Sequence, residues 1–181
     1  MEIILVRHGE PDYSETDEKG YLGFGYLAPL TSKGIEQAHT VSKDDLFANA
    51  EIVISSPYTR ALQTAAVISK NLNLNLIVDI GFHERLPDIK NELKSKEDFQ
   101  NSFEEYDFYK GVYTDNKLHY WESVEQQINR VQYSLNKYIM YKKIIIVTHG
   151  ELIRRFAAVR LPFCGIVQIE YDENFKFWGW S

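Results

Sequence analysis

One cysteine, Cys164, is all that the 181 residues contain, so no intrachain disulfide can form. No Cys/His grouping has the spacing of a zinc site either. Basic residues are in deficit: 20 Lys and Arg against 26 Asp and Glu leave a formal net charge of -6. That balance argues against a general binder of nucleic acid or of an anionic membrane, both of which reward a basic surface. It leaves room for one local positive pocket. Long apolar runs are also missing, and none approaches the ~20 residues that span a bilayer. The first such run, Ile3 to Val6, stops at Arg7 and is far too short for a secretory leader. Repeats, low-complexity tracts and linker-like boundaries are absent, so the length reads as one domain over residues 1–181. The expectation is a reduced, soluble, cytoplasmic protein whose oligomeric state is not legible.

What is present fits a globular chain, with 44% apolar and 25% charged residues. Glu2–Val6, Glu51–Ser55 and Lys143–Thr148 are short, β-branched apolar runs of the kind buried on both faces of a parallel sheet. Asn75–Asp79 is a weaker fourth. Helical patterns alternate with them. Thr31 offers an N-cap to Ile35, Ala38 and Val41. Ser56-Pro57 reads as N-cap and first helical residue ahead of Ala61, Leu62, Ala65, Ala66 and Ile68. Val124, Ile128, Val131, Leu135 and Ile139 form a long amphipathic row, and Leu152, Ile153, Phe156 and Ala157 another. The pattern predicts an α/β fold: a three-layer α/β/α sandwich with a mostly parallel central sheet. Pro11–Leu27 reads as a long loop. Residues 87–120, with at best a helix over 91–106, read as a small cap insertion or as a surface excursion.

Four charged groups share one address in such a sheet. Arg7 and His8 follow the first strand, Arg60 opens the helix after the second, and His149 follows the Lys143 strand ahead of Gly150. At the carboxyl edge of a parallel sheet they converge beside helix N-termini, whose amides favour anions. Two arginines and two histidines at one point call for a dianionic partner, and phosphate matches the guanidinium fork. A neutral imidazole can attack phosphorus and form a covalent intermediate. Guanidinium and imidazole groups then stabilise the equatorial oxygens, so no metal or other cofactor is expected. The leaving alkoxide needs a proton. Glu84, just beyond the Asn75 strand, is the best-placed carboxylic acid, and Glu10 is its nearest rival.

The string Arg7-His8-Gly9 alone arises by chance in roughly one chain in a hundred of this length. Several ordered blocks carry more weight. Leu5-Val6-Arg7-His8-Gly9-Glu10 resembles the signature of the histidine phosphatase superfamily, the phosphoglycerate-mutase-like proteins. Pro29–Gly34 with Gln37-Ala38, Ser55–Ala65, Glu122-Ser123 with Arg130-Val131, and Val147–Gly150 with Ile153-Arg154 resemble its later blocks in order. The chain departs from the common pattern at Pro11, Ser14 and Leu27. The resemblance implies that His8 is the phosphorylated nucleophile and Glu84 the proton donor. It implies a phosphate pocket of Arg7, Arg60, His149 and Gly150. The implied activity is hydrolysis of a small phosphorylated metabolite through a phosphohistidine. The alternatives are a phosphoglycerate-mutase-type phosphotransferase, or a non-catalytic phosphate-binding regulator.

The other conspicuous residues have plainer readings. His39, His83 and His119 read as packed or capped side chains, and Arg154, Arg155 and Arg160 as a solvated helix face. Glu10, Asp12, Glu15, Asp17 and Glu18 read as a solvated acidic loop. Phe175, Phe177, Trp178 and Trp180 read as the packing of a last strand. Tyr106, Phe108, Tyr109 and Tyr113 read as core beneath the cap or as lining of the cleft.

Overall fold

The computed structural model describes residues 1–18, 25–114 and 119–180. Five strands, β1 (Glu2–Arg7), β2 (Ile52–Ser55), β3 (Leu76–Val78), β4 (Lys143–Thr148) and β5 (Ile166–Glu170), form one sheet in the order β3-β2-β4-β1-β5. The first four are mutually parallel, and β5 runs antiparallel along β1. The helices are α1 (Ser14–Glu18), α2 (Ser32–Val41), α3 (Thr59–Leu72), α4 (Lys96–Phe108), α5 (Val124–Leu135) and α6 (Gly150–Ala157).

Continuous apolar runs in β1, β2 and β4 follow from burial on both faces. Because side chains alternate, Ile3, Leu5, Ile54, Ile144 and Ile146 face Val131, Leu135, Leu152, Ile153 and Phe156 of α5 and α6. Ile4, Val6, Val53, Ile145 and Val147 face the opposite way, onto Val41 of α2 and Ala61, Ala65 and Ile68 of α3. Two cores on one sheet make the three layers.

Several boundaries differ from the sequence reading. The Pro11–Leu27 stretch holds α1 and a short 3-10 turn at Gly25–Leu27; its residues 19–24, and residues 115–118 of the 87–120 stretch, lie outside the described residues. The helix read over 91–106 is α4, started at Lys96 by a capping box in which Ser95 and Asp98 exchange side-chain hydrogen bonds. α5 ends at Leu135, so Ile139 is exposed and Tyr138 takes the buried place. Ile35 is exposed as well, and Gly34, Ala38 and Val41 form the buried face of α2. α3 starts at Thr59 with Tyr58 as its N-cap residue and no side-chain cap, so Ser56 and Pro57 precede the helix. The C-terminal aromatic cluster follows β5: Phe175 and Phe177 pack on Tyr171 and Phe156.

Arg154 and Arg155 are buried, which overturns the solvated-face reading for those two, whereas Arg160 is exposed. Trp178 donates its amide to the Arg155 carbonyl, and the Arg155 guanidinium donates to the carbonyls of Glu151 and Gly179. The C-terminal segment lies over that side of α6, which the helical pattern alone does not reveal.

Candidate active site

The parallel sheet brings Arg7, His8, Arg60 and His149 to its carboxyl edge. His8 follows β1 and is anchored by its amide to the Thr148 carbonyl at the end of β4 (3.0 Å). The next residue must be glycine. A Cβ on Gly9 would stand 2.6 Å from the Gly34 carbonyl oxygen, and one on Gly34 would stand 2.3 Å from that of Glu10. Backbone packs directly on backbone there. The Gly9 amide also donates to Thr64 Oγ1 of α3 (3.0 Å).

Hydrogen bonds assign the tautomers of both rings. Arg60 Nε donates to His8 Nε2 (3.1 Å), so Nε2 carries a lone pair and the proton sits on Nδ1, which donates to the Gly9 carbonyl (2.7 Å). Arg60 Nη2 lies 3.3 Å from His149 Nδ1 and can only donate, so the His149 proton sits on Nε2 and bonds Ser56 Oγ (2.7 Å). The two imidazoles meet edge-on at 5.1 Å between centroids. Arg60 Nη1 donates to the Gly25 carbonyl (2.9 Å), which completes the clamp.

Burial pushes the His8 pKa down to about 3, with the Arg60 and Arg7 charges adding to it against the opposing Gly9 hydrogen bond. His149 is held well below the ordinary imidazole value, by burial first and then by the His8 and Arg60 charges. Both rings are therefore neutral near pH 7 in the free protein. Arg7 lies alongside: Nη1 donates to the Leu161 carbonyl (2.7 Å), the guanidinium stacks 4.3 Å from the Phe163 ring centroid, and Nε is buried without a partner. A Cβ on Gly150 would come 3.5 Å from that Nε, so the start of α6 and Arg7 border the same point.

Glu84 enters on the turn after β3. Its Oε1 accepts the Arg85 amide (2.9 Å) and its Oε2 accepts the Glu151 amide at the start of α6 (3.3 Å). Burial raises its pKa, the Arg85 amide bond opposes, and the Glu151 charge adds to the rise. The turn is pinned from below. Buried Asp79 accepts from the Gly81 amide, Ser134 Oγ, Lys137 Nζ and Tyr138 Oη, and Thr148 Oγ1 donates to the Phe82 carbonyl. Glu10 is placed differently. Its carboxylate pairs with Lys33 Nζ (2.8 Å) and accepts from Thr31 Oγ1 (3.1 Å), which hold its pKa low, and it does not line the cleft.

A cleft of about 660 Å³ opens over this edge, with Tyr58, Arg60, Glu84, Arg85 and Glu151 in its wall and Pro87, Asp88, Phe99 and Phe103 across from them. Tyr106 is buried behind it, whereas Phe108 is largely exposed and does not line the cleft. His83 is buried with its ring stacked on Tyr58, His119 is packed among Tyr109, Tyr113 and Trp121, and His39 is exposed. Four contributors escaped the sequence reading: Ser56, Tyr58, Asp79 and Glu151. The one available signal was Ser56-Pro57, which looked like a helix cap. Among the described residues, no group of three His, Cys, Asp or Glu side chains is arranged to hold a metal ion. No helix among them is long and apolar enough to cross a membrane.

An α/β sandwich with two arginines and two neutral histidines at its carboxyl edge defines a class of phosphoryl-handling proteins. Residues 3–172 match the model of the histidine phosphatase superfamily, branch 1, and the chain belongs to that family. It is an enzyme of the histidine phosphatase type. It is 24% identical over 189 residues to phosphoserine phosphatase 1 of Hydrogenobacter thermophilus, covering 100% of this chain and 82% of that protein. It is 26% identical over 193 residues to a Proteus mirabilis protein named probable phosphoglycerate mutase GpmB, covering 96% and 86%. The fold is shared with the alpha-ribazole phosphatase of Shigella flexneri, at a TM-score of 0.69 and 21% identity over 99% of this chain and 96% of that one.

Proposed function

We propose that the protein hydrolyses a small phosphate monoester by two in-line displacements at His8, with no metal in the chemistry. The observation that carries this reading is the Arg60 Nε to His8 Nε2 hydrogen bond. It marks Nε2 as the unprotonated nitrogen, in a ring that burial keeps neutral, against the group that would grip the phosphate. When a phosphoryl dianion enters, Arg60 turns its donors to the phosphate oxygens and frees the lone pair. Nε2 then attacks phosphorus, the ester P–O bond breaks, and the departing alkoxide takes the proton of the Glu84 carboxyl group. Glu84, now a carboxylate, accepts a proton from the water that attacks the phosphohistidine; inorganic phosphate leaves and His8 is restored. Arg7 and Arg60 carry the charge of the equatorial oxygens through both steps, helped by the amides that start α6 at Gly150, and His149 joins them when its Nδ1, released by Arg60, takes up a proton. Residues 87–120 act as the cap of a single domain, and the substrate enters beneath them.

Hydrolysis is favoured over mutase chemistry by the cleft wall. A mutase must hold a second phosphate and exclude water from the phosphohistidine, yet among the described residues the cations that line the cleft are Arg60 and Arg85. Lys90, Lys94, Lys96 and Lys110 do not line it. The test is hydrolysis of p-nitrophenyl phosphate in EDTA by the wild type and by His8→Ala. Activity lost in the variant supports the reading; a wild type inert toward a broad panel of phosphate esters sinks it. Phosphotransfer between phosphoglycerate carbons that outruns hydrolysis makes the protein a mutase instead.

A further inference from the structure

The cleft wall holds two features that phosphate binding does not use. One is a set of aromatic rings. Tyr13, Tyr26, Tyr58, Phe99 and Phe103 reach the same cavity from four separate stretches of chain. Tyr13, Tyr26 and Phe103 stay about two-fifths exposed there, at 39%, 40% and 40%. Large apolar rings converging on a concave surface while still wet are what a flat apolar ligand covers. The other is Arg85. Its guanidinium carbon lies 4.1 Å from the Tyr106 ring centroid and 4.9 Å from that of Phe103, and its Nε and Nη1 are buried with no acceptor. Stacking on rings offsets part of that cost and leaves the donors unpaired. Arg7, Arg60, Arg130, Arg154 and Arg155 all donate to a carbonyl, a carboxylate or an imidazole. Arg85 lines the cleft, and with Nε and Nη1 sealed against the rings, Nη2 is the nitrogen that a ligand acceptor can meet.

Size decides between substrate classes. A cleft of about 660 Å³ sits within the roughly 300–1,000 Å³ that takes drug-sized ligands. A phosphorylated three-carbon acid would leave most of it, and most of the rings, to water. Its single carboxylate would answer Arg85 and nothing else in the wall. A heteroaromatic ring answers both features: its faces stack on the aromatic side chains and its acceptor edge meets the guanidinium.

We infer that the alcohol part of the substrate carries a flat heteroaromatic ring, as in a nucleoside 5′-phosphate, held between the cap phenylalanines and the tyrosines and read at its edge by Arg85. This rests on the hydrolase reading above and extends it to the leaving group. The decisive pair is adenosine 5′-phosphate against ribose 5-phosphate. Both expel the same kind of primary alkoxide, so the chemical step does not separate them. The expected result is a kcat/KM at least about tenfold higher for the nucleotide, the scale of one or two stacked rings. Phe103→Ala and Arg85→Met are each expected to shrink that ratio below about threefold, lowering the nucleotide far more than the sugar phosphate. Equal rates for the pair, or phosphoserine outrunning both, overturn the inference while leaving phosphatase action intact. Should no ester be hydrolysed, the hydrolase reading falls separately. Calorimetric binding of the same two compounds to His8→Ala then decides the ring site, which fails if ribose 5-phosphate binds as tightly as the nucleotide.

Discussion

The phosphate pocket and the cleft wall above it are built on opposite plans. In the pocket, His8, Ser56, Arg60 and His149 are no more than 5% exposed and both nitrogens of each ring have a partner, while Arg7 Nε beside them is buried without one. In the wall, exposed rings share the space with a guanidinium whose buried donors have none. A group satisfied within the protein is preorganised for charge and tolerates little change. A group left unsatisfied waits for something from outside. On the proposed reading, the reaction belongs to the first region and the choice of substrate to the second.

That contrast can be broken most severely at His8. His8→Ala is expected to lower kcat for p-nitrophenyl phosphate by at least about 10⁴-fold, the scale of losing a covalent nucleophile. Residual hydrolysis within tenfold of wild type would make another group the nucleophile. Glu84→Gln comes next. Alkyl phosphates should slow by about 10²–10³-fold and nitrophenyl phosphate by far less, because nitrophenolate leaves with little protonation. Equal losses on both would reduce Glu84 to a cap for α6. Since burial raises the Glu84 pKa, its acid form is lost as pH rises, so the alkaline limb for alkyl esters should disappear in the variant.

Ser56→Ala sharpens the comparison from within the pocket. Ring ¹⁵N spectra of the wild type should show His149 protonated on Nε2 and His8 on Nδ1. Loss of the Ser56 hydroxyl should mix the two His149 forms and cost about tenfold in kcat, as for one buried hydrogen bond. An unmixed His149 signal would mean that Arg60 alone sets the tautomer. The smallest effect is on stability. The folded pKa values of His8 and His149 lie below the unfolded 6.5, so between there and about 3 the unfolded chain binds more protons. The melting temperature should therefore fall as pH drops through that window, and His8→Asn should flatten the decline. A melting temperature that holds or rises on acidification contradicts the buried neutral rings.

Legibility divided along similar lines. β1, β2 and β4 could be read because burial on both faces writes itself as an unbroken apolar run, as in Ile144-Ile145-Ile146-Val147. β5 could not: it is a half-exposed edge strand with Gln168 and Glu170 among its apolar residues. Arg7, His8 and His149 stood out because strand ends deliver them, and Arg60 because it opens the helix after one. Ser56, Asp79 and Glu151 act through partners 93, 55 and 67 positions away, and no local pattern encodes such a meeting. Arg155 was misjudged for the same reason: spacing placed it on a polar face, and a distant segment covered that face.

The order of strands in the sheet has a consequence for how the chain matures. Of the five strands β1 is synthesised before the others, yet both of its neighbours, β4 and β5, are synthesised after residue 142. Until residues 143–148 have been made, the Ile3–Val6 run lacks the parallel ladder it joins in the fold and is an apolar surface open to mispairing. The His8 amide finds the Thr148 carbonyl only when that late strand docks, so the reaction centre is among the last parts of the molecule to come into existence.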